Sequence, residues 1–216
     1  MAQGQVINAA KFFPIVRNSV FPHKLEQSQV DGMNAIIKAW DASKFGDLRW
    51  LGYMFGTAFH ETGGKMLPIA EFGGYDYCER MYGPGGPRGD TARKMGNIHV
   101  GDGFKYRGRG YVQMTWQLNY LHASHIVGVD LVANPDLAMD KDIAAKVMFA
   151  GMTDAKIIFE DFSDDQNFTF TGKSLEDYFH GDTADWVGAR RIINGTDHAL
   201  VIAQTAWDFH AALEYA

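Results

Sequence analysis

The chain has 216 residues, of which 46% are hydrophobic, 13% aromatic and 21% charged, enough to bury a substantial core and inconsistent with long disorder. Its net charge of −6 and pI near 5.7 exclude a general nucleic-acid binder, which neutralises phosphates with clustered Lys and Arg. The single cysteine, Cys78, has no intramolecular disulfide partner, so the fold is not expected to need an oxidising compartment.

The opening MAQGQVINAAKFFPIVRNSVFP lacks the continuous apolar segment of a secretory leader, and no later run approaches a membrane span, so a chain made soluble in the cytoplasm is expected. In EQSQVDGMNAIIKAWDASKFG, Ser28 with Asp31 reads as an N-terminal cap. Val30, Met33, Ile36, Ile37 and Trp40 recur at helical spacing, giving an amphipathic helix that ends near Gly46. A second helix is expected from Asp47 to about Thr62, stopped by Gly63 and Gly64. It is apolar nearly all round and therefore buried, with Gly52 and Gly56 admitting a neighbouring backbone. From Glu71 to Gly103 glycines and prolines punctuate the chain so densely that a long functional loop is expected. A short extended piece, FKYRGRGYVQM, leads to a helix capped by Thr115. Further helices are expected at about 139–152, 174–180, 183–193 and 198–214, with Trp40, Trp50 and Trp207 in the core. The fold class is mainly α, with at most a small sheet or hairpin near the middle.

The chemistry centres on FGTAFHETGG. Glu61 ends an apolar helix, where poor solvation and the negative end of the helix dipole both disfavour ionisation, the condition a general acid needs. Glu71 is a second carboxylate, on the breaker-rich segment that water reaches. A buried acid facing a solvated carboxylate is the arrangement that hydrolyses a glycosidic bond, although two glutamates at this spacing are also what ordinary solvated acids look like. His60 and Glu61 do not open an H-E-x-x-H motif, since Gly64 stands where the second histidine belongs, and the other histidines lack ligand spacing. No metal or other cofactor is therefore implied. His60, turned about 100° from Glu61 around the helix, reads as a hydrogen-bonded structural residue. Neither a G-x-S-x-G elbow nor a phosphate-binding glycine loop occurs.

KYRGRGYVQMTWQLNY resembles the Y-x-G-R-G-x-x-Q-L-[ST]-x-x-x-N-Y signature of glycoside hydrolase family 19, the lysozyme-like group of plant chitinases and many phage endolysins. The matching positions are Tyr106, Gly108, Arg109, Gly110, Gln113, Thr115, Asn119 and Tyr120, with Met114 in place of leucine. AFHETGG before it, NPDLAMD (Asn134 to Asp140) and RIINGTD (Arg191 to Asp197) after it follow in the family's order. The resemblance implies an α+β lysozyme-like fold, a helical bundle with a small hairpin and loop lobe flanking a substrate cleft. One catalytic domain, 1–216, is expected, with 1–46 an N-terminal helical segment, 47–200 the catalytic core and 201–216 a C-terminal helix.

The resemblance also implies roles. Glu61 matches the general acid, Glu71 the second carboxylate, with Asp76 or Glu79 as substitutes because LPIAEFGGYDY departs from the plant pattern. Thr115 matches the residue that helps hold the attacking water, and Gln113, Asn119 and Asn194 the amides that bind N-acetyl sugars. Tyr106 joins the substrate-binding set, Tyr111 and Trp116 are the candidates for sugar stacking, and Arg109 is expected to brace the site through a carboxylate. Tyr75, Tyr77 and Tyr82 are further candidates for the cleft wall. The implied enzyme is an inverting hydrolase of endolysin type, cutting peptidoglycan between N-acetylmuramic acid and N-acetylglucosamine. The alternatives are a chitinase and an inactive sugar-binding or virion module. Its expected partner is a peptidoglycan or chitin-like glycan, with no nucleic acid and no stable membrane insertion. It is expected to be a monomer that a separate holin releases to the periplasm and cell wall.

Overall fold

The computed structural model describes residues 6–22, 24–153 and 168–216, so residues 154–167, inside the expected 47–200 core, lie outside the described residues. The chain opens with α1 (Ala9–Ser19), capped by the Asn8 side chain and tied to the C-terminus by the Asn8 amide donating to the Ala216 carbonyl at 3.2 Å. In α2 (Gln27–Ser43) the cap differs from expectation. Glu26, not Ser28, sits at the N-cap and forms a reciprocal capping box with Gln29, while Asp31 accepts from Gln27. The next helix, α3 (Leu48–Glu61), starts where expected, with the Asp47 carboxylate accepting from the Arg49 amide at 3.0 Å. It ends at Glu61, and Gly63 and Gly64 follow at positive φ.

The two-residue strand β1 (Ile69–Ala70) is followed by three short helices in the region expected to be loop: α4 (Tyr75–Tyr82), α5 (Gly89–Lys94) and α6 (Asp102–Lys105). Strand β2 (Arg109–Gly110) pairs antiparallel with β1, Ile69 opposite Gly110 and Ala70 opposite Arg109. Helix α7 (Gln117–Val127) begins later than expected. Thr115 is not its cap, because its hydroxyl donates to the Gln113 carbonyl at 2.9 Å and Trp116 holds the N-cap position. A 3-10 turn at Pro135–Met139 precedes α8 (Lys141–Met152), as expected for 139–152. The expected helices at 174–180 and 183–193 are instead 3-10 turns, Leu175–Asp177 and Gly188–Ile192, joined by the hairpin of β3 (Phe179–His180) and β4 (Thr183–Ala184). The chain closes with α9 (Ala199–Glu214).

Helix α3 makes its most extensive packing with α9. Gly52 and Gly56 make this possible: a Cβ at Gly56 would lie 2.7 Å from Ala206 Cα, and one at Gly52 would lie 2.8 Å from His210 Cβ. Phe12, Phe55 and Phe209 stack across α1, α3 and α9 at centroid distances of 5.1–6.5 Å. Trp40 is core as expected, whereas Trp50 is only partly covered and Trp207 is 52% exposed, its ring set edge-on to Trp186. A second apolar cluster of Tyr106, Met114, Tyr120, Leu131 and Val147 underlies the signature segment. The fold is thus mainly α with small antiparallel pairs.

Candidate active site

Glu61 and Glu71 line one cleft of about 690 Å³, set between the end of α3, strand β1, the tip of α4 and the turn before α7. The cleft wall also includes Gln113, Thr115, Trp116, Asn119 and Asn194. Three of the four motifs, with the segment that carries Glu71, therefore contribute to one surface, while Asn134 to Asp140 do not line it.

The half-buried Glu61 carboxylate accepts from Arg190 Nη1 at 2.6 Å. Arg190 is 2% exposed and is held by its Nε donating to the Asp197 carbonyl at 3.0 Å. The contact with Glu61 is a direct charge-assisted hydrogen bond. Arg190 immediately precedes the RIINGTD motif, so the double arginine was the available signal. His60 is not hydrogen-bonded through its ring among the described residues. Its ring lies 4.9 Å from that of His198, and burial, first among the causes, pushes its pKa below the ordinary histidine value.

Glu71 is anchored by the sheet. Its amide donates to the Gly108 carbonyl at 2.8 Å, and its carboxylate accepts from the Tyr82 hydroxyl at 2.8 Å and from the Gly108 amide at 3.3 Å. A Cβ on Gly108 would come within 3.2 Å of Glu71 Oε2 and 2.8 Å of Gln113 Oε1, so glycine is what lets the backbone reach both. Burial, followed by the bond to Glu71, pushes the Tyr82 hydroxyl well above the usual phenol range, which keeps it a proton donor. The two substitutes for Glu71 point elsewhere. Asp76 is exposed on α4, and Glu79 accepts from the Phe104 amide at 2.8 Å. Of the three tyrosines expected at the cleft, Tyr82 lines it, while Tyr75 and Tyr77 are exposed away from it.

The turn from 110 to 116 carries strain at its polar residues: Gln113 has φ 54° and Trp116 φ 80°, unusual for side chains with a Cβ. Gln113 Nε2 donates to the Ile69 carbonyl at 2.9 Å and Asn119 Nδ2 to the Thr115 carbonyl at 2.8 Å. Their donors brace β1 and the turn, leaving the amide oxygens to accept from a ligand N–H. The Thr115 hydroxyl proton is likewise spent on Gln113, so its oxygen is left as an acceptor. Asn194 is exposed at the cleft wall.

Tyr106 and Tyr111 do not reach the cleft. They are 1% and 0% exposed, Tyr106 packing on Tyr120 and Tyr111 donating its hydroxyl to the Gly32 carbonyl at 3.1 Å. Both belong to the packing beneath the site, Tyr106 in the cluster with Met114 and Tyr120 and Tyr111 in the main core. Trp116 lines the cleft but is only 8% exposed, with the Arg88 guanidinium over its ring at 5.2 Å. Arg109 pairs with Asp136 at 2.8 Å and donates to the Lys105 carbonyl and Tyr120 hydroxyl, locking β2 to the 3-10 turn.

The family model described as chitinase class I, glycoside hydrolase family 19, matches residues 42–156. Curated relatives include basic endochitinase B of Arabidopsis thaliana, 32% identical over 93 residues, and endochitinase 1 of Theobroma cacao, 38% identical over 94 residues. Each match covers 42% of this chain and only 27% and 28% of the respective relative. Among solved structures, chitinase C from Streptomyces griseus HUT6037 superposes with a TM-score of 0.57 at 22% identity, covering 100% of this chain and 96% of its own. A class IV chitinase from Zea mays gives 0.55 at 18% identity, covering 98% and 94%. At such identities these structures establish the shared fold, and the lysozyme-like architecture expected from the sequence is theirs. With the family model spanning more than half of its length, the chain belongs to glycoside hydrolase family 19.

Proposed function

We propose that this chain hydrolyses β-1,4 bonds in an N-acetylglucosamine-containing glycan with inversion at the anomeric carbon. The observation that carries this reading is the convergence of Glu61, Glu71 and Thr115 on one cleft. Glu61 delivers its proton to the leaving glycosidic oxygen. Glu71, held by Tyr82 and the Gly108 amide, takes a proton from a water that also donates to the free lone pairs of Thr115, and that water attacks the anomeric carbon from the opposite face. Inversion requires carboxyl groups roughly 6.5–9.5 Å apart, and no covalent sugar–enzyme intermediate forms. The amide oxygens of Gln113 and Asn119 accept from acetamido N–H groups.

The matched relatives are chitinases, which favours a chitin-type polymer as substrate. A second reading, peptidoglycan cut between N-acetylmuramic acid and N-acetylglucosamine, is favoured by one feature of the cleft, the cationic Arg88 at its wall. In that reading the chain is a lysis enzyme that a holin releases from the bacterial cytoplasm to the wall.

Digestion of colloidal chitin and of purified peptidoglycan in parallel, with mass spectrometry of the new reducing ends and nuclear magnetic resonance of the first-formed anomer, tests both points. An α-anomer is expected at early times, and an initial β-anomer would refute inversion. An N-acetylmuramic acid reducing end supports the second reading, and soluble chito-oligosaccharides alone support the first.

A further inference from the structure

We infer that Arg88 and Trp116 form a subsite for a carboxylated glycan, so that the cleft selects a sugar chain bearing carboxylates over neutral chitin. This rests on the hydrolase reading above and names its substrate class. Arg88 lines the cleft, exposed, on the turn between α4 and α5. Its guanidinium stacks on the Trp116 ring at 5.2 Å, and among the described residues no hydrogen bond or carboxylate engages its N–H donors. Neighbouring arginines face other partners, Arg80 lying over the Tyr77 ring at 5.8 Å. Arg190 serves Glu61, Arg93 serves Asp90 and the Pro84 carbonyl, and Arg107 serves the Phe104 carbonyl.

The turn that carries Arg88 is closely folded. The Gly86 amide donates to the Gly83 carbonyl at 3.2 Å and the Gly89 amide to the Gly86 carbonyl at 2.9 Å, while Arg93 clamps Pro84. A Cβ at Gly86 would lie 2.0 Å from the Arg80 carbonyl, so the backbone is packed against α4. Trp116 in turn sits edge-on to Tyr82 at 5.3 Å, and Tyr82 holds Glu71. The cation is therefore placed two aromatic rings from the base, pre-positioned by stacking, with a planar fork that matches a carboxylate. Chitin is uncharged and offers this fork no counter-charge. Peptidoglycan does, either on the lactyl ether of N-acetylmuramic acid or on the attached stem peptide.

The test is equilibrium binding in the Glu61→Gln background, which prevents turnover, with Arg88 intact, Arg88→Gln and Arg88→Lys. The probes are chitotetraose, the stem-free tetrasaccharide of alternating N-acetylglucosamine and N-acetylmuramic acid, the same tetrasaccharide with its carboxyls amidated, and a stem-bearing counterpart. Expected is a roughly fivefold fall, on Arg88→Gln, in the affinity ratio of a carboxylated probe to chitotetraose, abolished by amidation and partly restored by lysine, as for a partly exposed charge-assisted pair. A fall with the stem-free probe assigns the lactyl carboxylate, and a fall only with the stem-bearing one assigns the peptide. An unchanged ratio, or equal losses on all probes, overturns the subsite and leaves Arg88 as packing on Trp116. Hydrolysis by the otherwise native protein is followed separately. A carboxylate-dependent ratio without cleavage keeps the subsite and defeats the hydrolase reading, whereas cleavage with an unchanged ratio does the reverse.

Discussion

Arg190 and Tyr82 each hold one of the two carboxylates, and neither relationship is visible along the chain, since Arg190 and Glu61 are 129 positions apart. Motifs identify Glu61 because a carboxylate at the end of an apolar helix is anomalous by itself. They miss Arg190 because a buried arginine in a 3-10 turn acquires meaning only from its distant partner. Glu61→Gln keeps an acceptor for Arg190 and so keeps the fold, but removes the transferable proton. Hydrolysis is expected to fall by about 10²-fold or more with an unchanged circular dichroism spectrum. Wild-type rates from a folded variant would remove Glu61 from the mechanism. Tyr82→Phe deletes one of the bonds that aim Glu71 while leaving the ring against Trp116. Since a misplaced base costs turnover more than binding, kcat is expected to drop on the order of tenfold with KM nearly constant. An equal rise in KM would mean that Tyr82 contacts substrate instead.

At the scale of elements, the long helices follow from periodicity and caps, while the middle of the chain does not. Residues 71–103 read as loop because glycines are dense there, yet most of those glycines fall between short helices, Gly89 opening α5 and Gly103 lying within α6, and the α4 segment YDYCERMY contains none. Helix α7 starts beyond the expected Thr115 cap for a different reason. Its first amide, that of Gln117, is capped by the side-chain oxygen of the remote, fully buried Asn97 at 2.9 Å, a cap no local pattern can show. Between α3 and α9 the reading was direct, because glycines on one face of an apolar helix announce a close neighbour. Gly56→Ala drives a Cβ into the Ala206 backbone, where no flexible side chain can yield, and is expected to destabilise by about 1–3 kcal/mol. Gly46→Ala meets nothing within 4 Å and serves as the control. Thermal melts decide the matter, and equal melting temperatures for the two variants would show that the helices can separate without cost.

For the molecule as a whole, histidines at the α3–α9 contact are expected to make stability depend on pH. His210, on α9 against Gly52, is 9% exposed, and its Nδ1 is buried without a hydrogen-bond partner among the described residues. Burial, the largest influence, lowers its pKa below 6.5, assisted by Arg49 and opposed by Glu214 and Asp47. His60, on α3, is lowered by burial, Arg190 and His198 against the pull of Glu61 and Asp197. In the unfolded chain both return toward the ordinary value of about 6.5. Between the folded and unfolded pKa values the unfolded state therefore binds more protons, so stability rises with pH through that window. Their contribution is complete above about pH 6.5 and is lost as pH falls below it. The melting temperature is thus expected to be level from about pH 7 to 8 and to decline from 6.5 toward 5, before most surface carboxylates titrate. His210→Gln removes one of the two titrating groups, and its melting temperature should decline less steeply over the same interval, whatever its absolute value. Parallel wild-type and variant curves between pH 6.5 and 5 would show that His210 is not a source of the acid sensitivity.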